Sequence, residues 1–162
     1  MKMLDRTLLA SLHSRALASP RLRTHYNLHA SHQESVQRMC MAMEPGTYVR
    51  PHRHPNTWEL LLIIQGEMLV LGFDEHGSVL ARTRLAASGE VAGVESPAGS
   101  WHAVASLSPA TVVLEVKCGP YLPTFERDYA SWAPPEGHAN ASAFERWYLG
   151  VQVGGKPPTL PA

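Results

Sequence analysis

The chain has 162 residues, the size of one domain, and its 14 Lys and Arg balance its 14 Asp and Glu. That neutrality excludes the broad basic field of a nucleic-acid binder, and 44% apolar against 17% charged residues exclude a disordered acidic chain. Nine histidines and thirteen prolines are the unusual counts, and imidazole in such number points to metal binding or acid–base chemistry.

Leu4, Leu8, Leu12 and Ala16 recur at every fourth residue and predict an amphipathic helix over residues 3–18, stopped by Pro20. The apolar stretch Leu8–Leu12 is too short for a secretory leader, and Asp5, His13 and Arg15 interrupt it. A cytoplasmic protein is therefore expected. Residues 20–34 are polar and histidine-rich without a period and are expected to form a loop or extended arm. Strands are expected at Val36–Met43, Thr47–Arg50, Trp58–Gln65, Glu67–Phe73, Ser78–Leu85, Gly89–Glu95, Trp101–Leu107 and Thr111–Lys117, each bounded by Gly or Pro turns. Short strands at this spacing predict an all-β antiparallel sandwich or small barrel. Seven of the thirteen prolines fall in residues 120–162, which predicts an irregular wrap anchored by aromatics. Ser142-x-x-Glu145 reads as a capping box for a short helix ending at Gly150, and Lys156–Ala162 as a loose tail. The division is then 1–35 for helix and arm, 36–120 for the barrel and 121–162 for the wrap, all one structural domain. No apolar run reaches the length of a membrane span. Cys40 and Cys118 are expected to be reduced and mostly buried.

The chemistry is concentrated in Gly46-x5-His52-x-His54-x4-Glu59-x6-Gly66. Residues two apart on a strand face the same side, with Cα atoms ~6.5 Å apart, so two imidazoles can converge on one ion. Pro51 and Pro55 stiffen the pair. Glu59 opens the next strand and is turned back towards the histidines. Pro97-Ala98-Gly99-Ser100-Trp101-His102 aims a third imidazole, which can complete a set of three His and one Glu with open coordination positions. His52, His54, Glu59 and His102 are thus the expected ligands of one divalent metal ion, with Fe, Mn, Ni and Zn all open.

The first motif resembles, position for position, the first signature of the cupin superfamily. The second is similar to Pro-x-Gly-x-x-His of its second signature, with Val91 where a glycine is usual and Ser106 where an asparagine is usual. Ser19-Pro20-Arg21-Leu22-Arg23, Asn27-Leu28-His29, Val36-Gln37-Arg38, Pro45–His54, Glu115–Tyr121 and Trp132-Ala133-Pro134 with Glu136-Gly137 resemble the WbuC family of cupin-fold metalloproteins. The resemblance implies a cupin jelly-roll barrel with a short N-terminal helix and an irregular C-terminal extension. It implies a bacterial origin, a small-molecule ligand and a link to surface-polysaccharide (O-antigen) biosynthesis. A homodimer paired through the sheets is its default, unless the terminal extensions cap the edges.

The expected function is a metal-dependent enzyme of isomerase, epimerase or lyase type on a sugar or sugar-derived intermediate. An iron-dependent dioxygenase and a non-catalytic sugar or small-ligand binding module are the alternatives. Glu59 and His29 are the candidates to move a proton. Tyr48 and Arg50 share the parity of the histidines and are expected to line the cavity, Arg50 as a bidentate anion binder or else as a rim ion pair. Arg23 and Asn27 are candidates for the site mouth, and the ligand is expected to be sugar-like or anionic. Glu115 and Lys117 alternate with Val112, Leu114 and Val116, which reads as a charged strand face turned to solvent. Trp101 is expected in the core, and His13, His25, His32, His76 and His138 in solvent. No nucleic-acid or membrane partner is expected.

Overall fold

A computed structural model describes residues 1–159. In chain order the elements are α1 (Arg6–Ala18), β1 (Arg23–Asn27), β2 (Val36–Met43), β3 (Glu59–Gln65), β4 (Glu67–Phe73), β5 (Val79–Ala86), β6 (Gly93–Ser96), β7 (Trp101–Ser106), β8 (Thr111–Cys118) and α2 (Ala141–Gly150). A five-stranded sheet, β1-β2-β8-β3-β6, faces a three-stranded sheet, β5-β4-β7, and every strand pair is antiparallel.

Three apolar layers follow from the strand period of two. Met43, Leu61, Ile63 and Val113 from the large sheet meet Met68, Val70, Leu85 and Val104 from the small sheet and fill the interior. Cys40, Ala42 and Val112 point the other way and are covered by Leu12 and Ala16 of α1. Leu69, Leu71, Phe73, Trp101 and Ala103 line the outer face of the small sheet, under Ala133, Phe144, Tyr148 and Val151 of the C-terminal wrap. The wrap therefore acts as a third layer that shields one sheet from water.

The helix α1 is N-capped by Asp5, whose carboxylate accepts from the Leu8 N–H. The helix α2 ends at Gly150 as expected, but no Ser142 box forms: Ser142 lies inside the first turn and Asn140 is the cap, without a side-chain bond. The expected arm contains β1, because its backbone completes the edge of β2 from Arg23↔Met43 to Asn27↔Met39. Thr47–Arg50 is not a strand. Its side chains pair with neighbouring loops instead, Thr47 with the Arg21 carbonyl, and Tyr48 and Arg50 with the C-terminal wrap. Just before the expected tail, Gly154 and Gly155 dock on the main chain of Val79; the tail's last residues, 160–162, lie outside the described residues.

Both cysteines are free, Cys40 buried and, against expectation, Cys118 exposed at the end of β8. His13 is only half-exposed: its Nδ1 lies 2.6 Å from Glu44 Oε1, a carboxylate that also accepts from the Ala110 N–H. Trp101 packs in the outer core as expected. No helix among the described residues is long and apolar enough to cross a membrane.

Candidate metal centre

Three elements bring the histidines together. His102 is the second residue of β7 and faces inward because Trp101 beside it faces outward. His52 bridges it: His52 N–H donates to the His102 carbonyl at 3.0 Å and His102 N–H returns the bond at 2.9 Å. On its other side the 51–54 segment is pinned by Ala130 N–H to the Pro51 carbonyl and by Arg53 N–H to the Asp128 carbonyl. Gly99 N–H closes on the His54 carbonyl at 2.8 Å. The two motifs are thus stitched by main chain, and one ligand nitrogen from each of His52, His54 and His102 lies within 4.8 Å of the other two.

Second contacts choose the tautomer. His52 Nδ1 lies 3.0 Å from the Arg50 carbonyl and His102 Nδ1 lies 3.0 Å from the Ser100 carbonyl. A carbonyl only accepts, so both Nδ1 atoms carry the proton and both Nε2 lone pairs are free to face inward. Glu59, only 4% exposed, sits against the group, its oxygens 3.2 Å from His54 Nε2 and 3.1 Å from His102 Nε2. Neither of these Nε2 atoms has a hydrogen-bond partner of good geometry. An Nε2 lone pair aimed at a buried carboxylate is repelled unless a proton or a metal ion lies between them, and a dication suits this donor set.

The row beneath the histidines follows from register. Gln37 on β2, Lys117 on β8 and Glu59 on β3 lie side by side across the large sheet. One row deeper, Glu115 pairs with Leu61. Lys117 Nζ lies 2.6 Å from Glu115 Oε1 and 3.4 Å from Glu59 Oε1. The charged face of β8 therefore points into the barrel, and Glu115 is only 6% exposed. The outward reading fails because the opposite, apolar face is itself needed: Val112 and Leu114 pack under α1. An alternation of apolar and charged residues marks two faces without saying which is wet.

Electrostatics follow the packing. Burial, with His102 and His54 beside it, pushes His52 down to about 3, so it is a neutral donor. Burial alone would raise the Glu59 carboxyl, but His102, His54 and Lys117 outweigh it and hold it well below the ordinary range. Burial would lower His102, yet contact with Glu59 wins and raises it. Burial and the Glu59 charge push Glu115 up to about 7 against the pull of Lys117. A proton that Glu59 favours on His102 has to leave before the lone pair can bind a metal. Lowering the pH fills His102 further, so metal affinity is expected to fall as pH falls and to rise as pH rises. Proton release per ion bound should therefore exceed zero and grow as pH falls. Calorimetry in two buffers of different ionisation enthalpy measures that number.

A cavity of about 440 Å³ opens beside the group, lined by His54, Arg53, Thr57, Gln37 and Lys117 and by the 119–125 segment with Arg127 and Asp128. The other expected site residues lie elsewhere. Tyr48 is buried in the outer core, donating to the Pro134 carbonyl at 2.8 Å. Arg50 is paired with Glu126 at 2.8 Å, donates to the Ala130 carbonyl and lies over the Tyr129 ring. Arg23 is paired with Glu136 of the wrap. Asn27 is at the end of β1, and His29 Nδ1 is held against the Arg38 main chain. None of these five lines the cavity beside His54. Lys117, Glu115 and Gln37 are the site residues missed as such; their strand parity with Glu59 and one another was the only signal.

A family model described as a domain of unknown function, DUF6016, matches residues 4–85. No curated protein matches. Among solved structures, KdgF from Halomonas sp. is similar at 17% identity and a TM-score of 0.51, covering 64% of this chain and 83% of that one. Oxalate oxidase in complex with glycolate aligns at 16% identity and a TM-score of 0.53, over 67% of this chain and 56% of that one. A cupin superfamily protein from Desulfitobacterium hafniense DCB-2 aligns at 21% identity and a TM-score of 0.47, over 59% and 76%. The fold is the cupin jelly roll.

Proposed function

The chain belongs to the DUF6016 family of domains of unknown function, and since that family brings no activity with it, we propose one from the site. The protein is read as a metal-dependent enzyme of the WbuC type, acting on a sugar or sugar-derived intermediate of bacterial surface-polysaccharide assembly. The observation that carries the metal reading is the convergence of three imidazoles, with a buried carboxylate against two of them, beside a cavity.

His52, His54, His102 and Glu59 would hold the ion, and when bound it would polarise a substrate oxygen. The rest is the work of the chain. The Arg50 and Ser100 carbonyls fix two imidazole planes, so the site is ordered before the ligand arrives. Lys117 Nζ donates to Glu59 Oε1 at 3.4 Å and so helps to hold the carboxylate. In this reading Glu59 would move a proton at a carbon next to the polarised oxygen. His29, tied to the Arg38 main chain, takes no proton step in this reading. Proton transfer of this kind supports isomerisation, epimerisation or elimination.

The test is solvent exchange. A panel of aldoses, ketoses and sugar acids is incubated in D2O with metal-loaded protein and with His52→Ala, and followed by NMR and an oxygen electrode. Deuterium entering carbon only with the wild type and without oxygen uptake is the expected result. Oxygen uptake would instead identify a dioxygenase, and binding without exchange a ligand-binding module.

A further inference from the structure

The cavity has a charge pattern that names its ligand. Its basic lining is Arg53, His54, Lys117 and Arg127 against a single carboxylate, Asp128. Asp128 is buried and already engaged by Arg53 Nε at 3.2 Å. Lys117 is the cation on the floor. An ammonium has three donors; Glu59 Oε1 accepts one at 3.4 Å, while Glu115 Oε1, 2.6 Å away, is an ion-pair contact without hydrogen-bond geometry. Donor capacity is left for the cavity that Lys117 lines.

Gln37 stands next to Lys117 in the same cross-strand row. Its Nε2 donates to the Glu34 carbonyl at 2.8 Å and the His32 carbonyl at 3.3 Å. That contact fixes the amide, and Oε1 is left as a buried acceptor without a partner. A cationic donor beside an unpaired acceptor is complementary to a carboxylate next to a hydroxyl. The lining also includes the apolar side chains of Tyr121, Leu122 and Phe125, all exposed. A volume of about 440 Å³ lies in the range of small-ligand pockets.

We propose that the cavity takes a small hydroxylated carboxylate, and that Lys117 anchors its carboxylate while Gln37 accepts from a hydroxyl. The inference rests on the metal reading in one respect: the ion offsets the Glu59 charge beside Lys117. It goes further by assigning the ligand a negative charge and assigning that charge a binding residue.

D-gluconate and sorbitol differ at the terminal carbon, carboxylate against hydroxymethyl. Each is titrated calorimetrically into zinc-loaded wild type, Lys117→Met and Arg127→Glu. Gluconate is expected to bind at least about tenfold tighter than sorbitol, as a charge-assisted contact requires. Lys117→Met should lose that advantage and leave sorbitol unchanged. Arg127 is exposed at the rim, so Arg127→Glu tests the charge without touching the core; it should weaken gluconate about threefold at low salt and less at high salt. Equal affinity for gluconate and sorbitol overturns the proposal, as does a folded Lys117→Met with wild-type gluconate affinity. If Lys117→Met does not fold, the wild-type comparison and Arg127→Glu decide. A zinc titration without sugar keeps the two readings apart. Zinc binding without gluconate preference sinks only the carboxylate site; gluconate preference without zinc binding sinks only the metal reading.

Discussion

His102→Ala is expected to lower the affinity for a divalent ion by well over about 100-fold. Loss of a partner that merely orients a ligand costs 10–100-fold, and loss of the ligand costs more. The substitution leaves the main chain its bonds, since His102 N–H and carbonyl, not the ring, pair with His52. Neighbouring Ala103 and Ala105 show that β7 carries alanine in its core positions. His76→Ala, at an exposed turn, is the matched control and should bind the ion as the wild type does. Calorimetric titration with zinc or manganese and elemental analysis of anaerobically purified protein measure the effect. Wild-type metal content in folded His102→Ala would remove the three-histidine site.

The second large effect concerns stability. Glu115→Leu leaves Lys117 buried without its close partner, and breaking such a pair costs about 3–5 kcal/mol. The lower end is expected here, because Glu59 Oε1 remains 3.4 Å from Nζ. The double change Glu115→Leu with Lys117→Met should recover most of the loss, since an apolar pair of similar volume avoids both desolvation penalties. Urea unfolding checks both, read as a shift of midpoint at constant slope. A single variant as stable as the wild type would mean that the pair is solvated, as its sequence pattern alone suggests. The double variant has a cost elsewhere: without Lys117 the Glu59 carboxylate loses a contact that helps to hold it, and metal affinity is expected to change with it.

Much of the barrel is legible in the chain. The limits of β2 and β4 follow from Gly and Pro turns and from period-two alternation, because those signals are local. The four residues His52, His54, Glu59 and His102 are legible for the same reason: short spacings and flanking turns set where their side chains go. Tyr48 and Arg50 show where that argument stops. Their parity with His52 predicts a common face only if the backbone is a strand, and Thr47–Arg50 is not one. Free of a ladder, these side chains take partners on the wrap, Tyr48 at Pro134 and Arg50 at Glu126 and Ala130. The arm failed in the opposite sense. Its polar residues hide a strand because an edge strand needs backbone pairing more than an apolar face.

Nine histidines in a neutral chain posed the first question, and the sequence by itself determined which three form a group and which carboxylate accompanies them. Spacing is enough for that, since strand and turn geometry carry side chains over only a few residues. The tertiary structure decided the rest of the site. A pleated strand has two faces, and nothing local says which one the other sheet will cover. Only the docking of α1 on Val112 and Leu114 turns the opposite face of β8 inward, where Lys117 and Glu115 meet Glu59 of the paired strand β3.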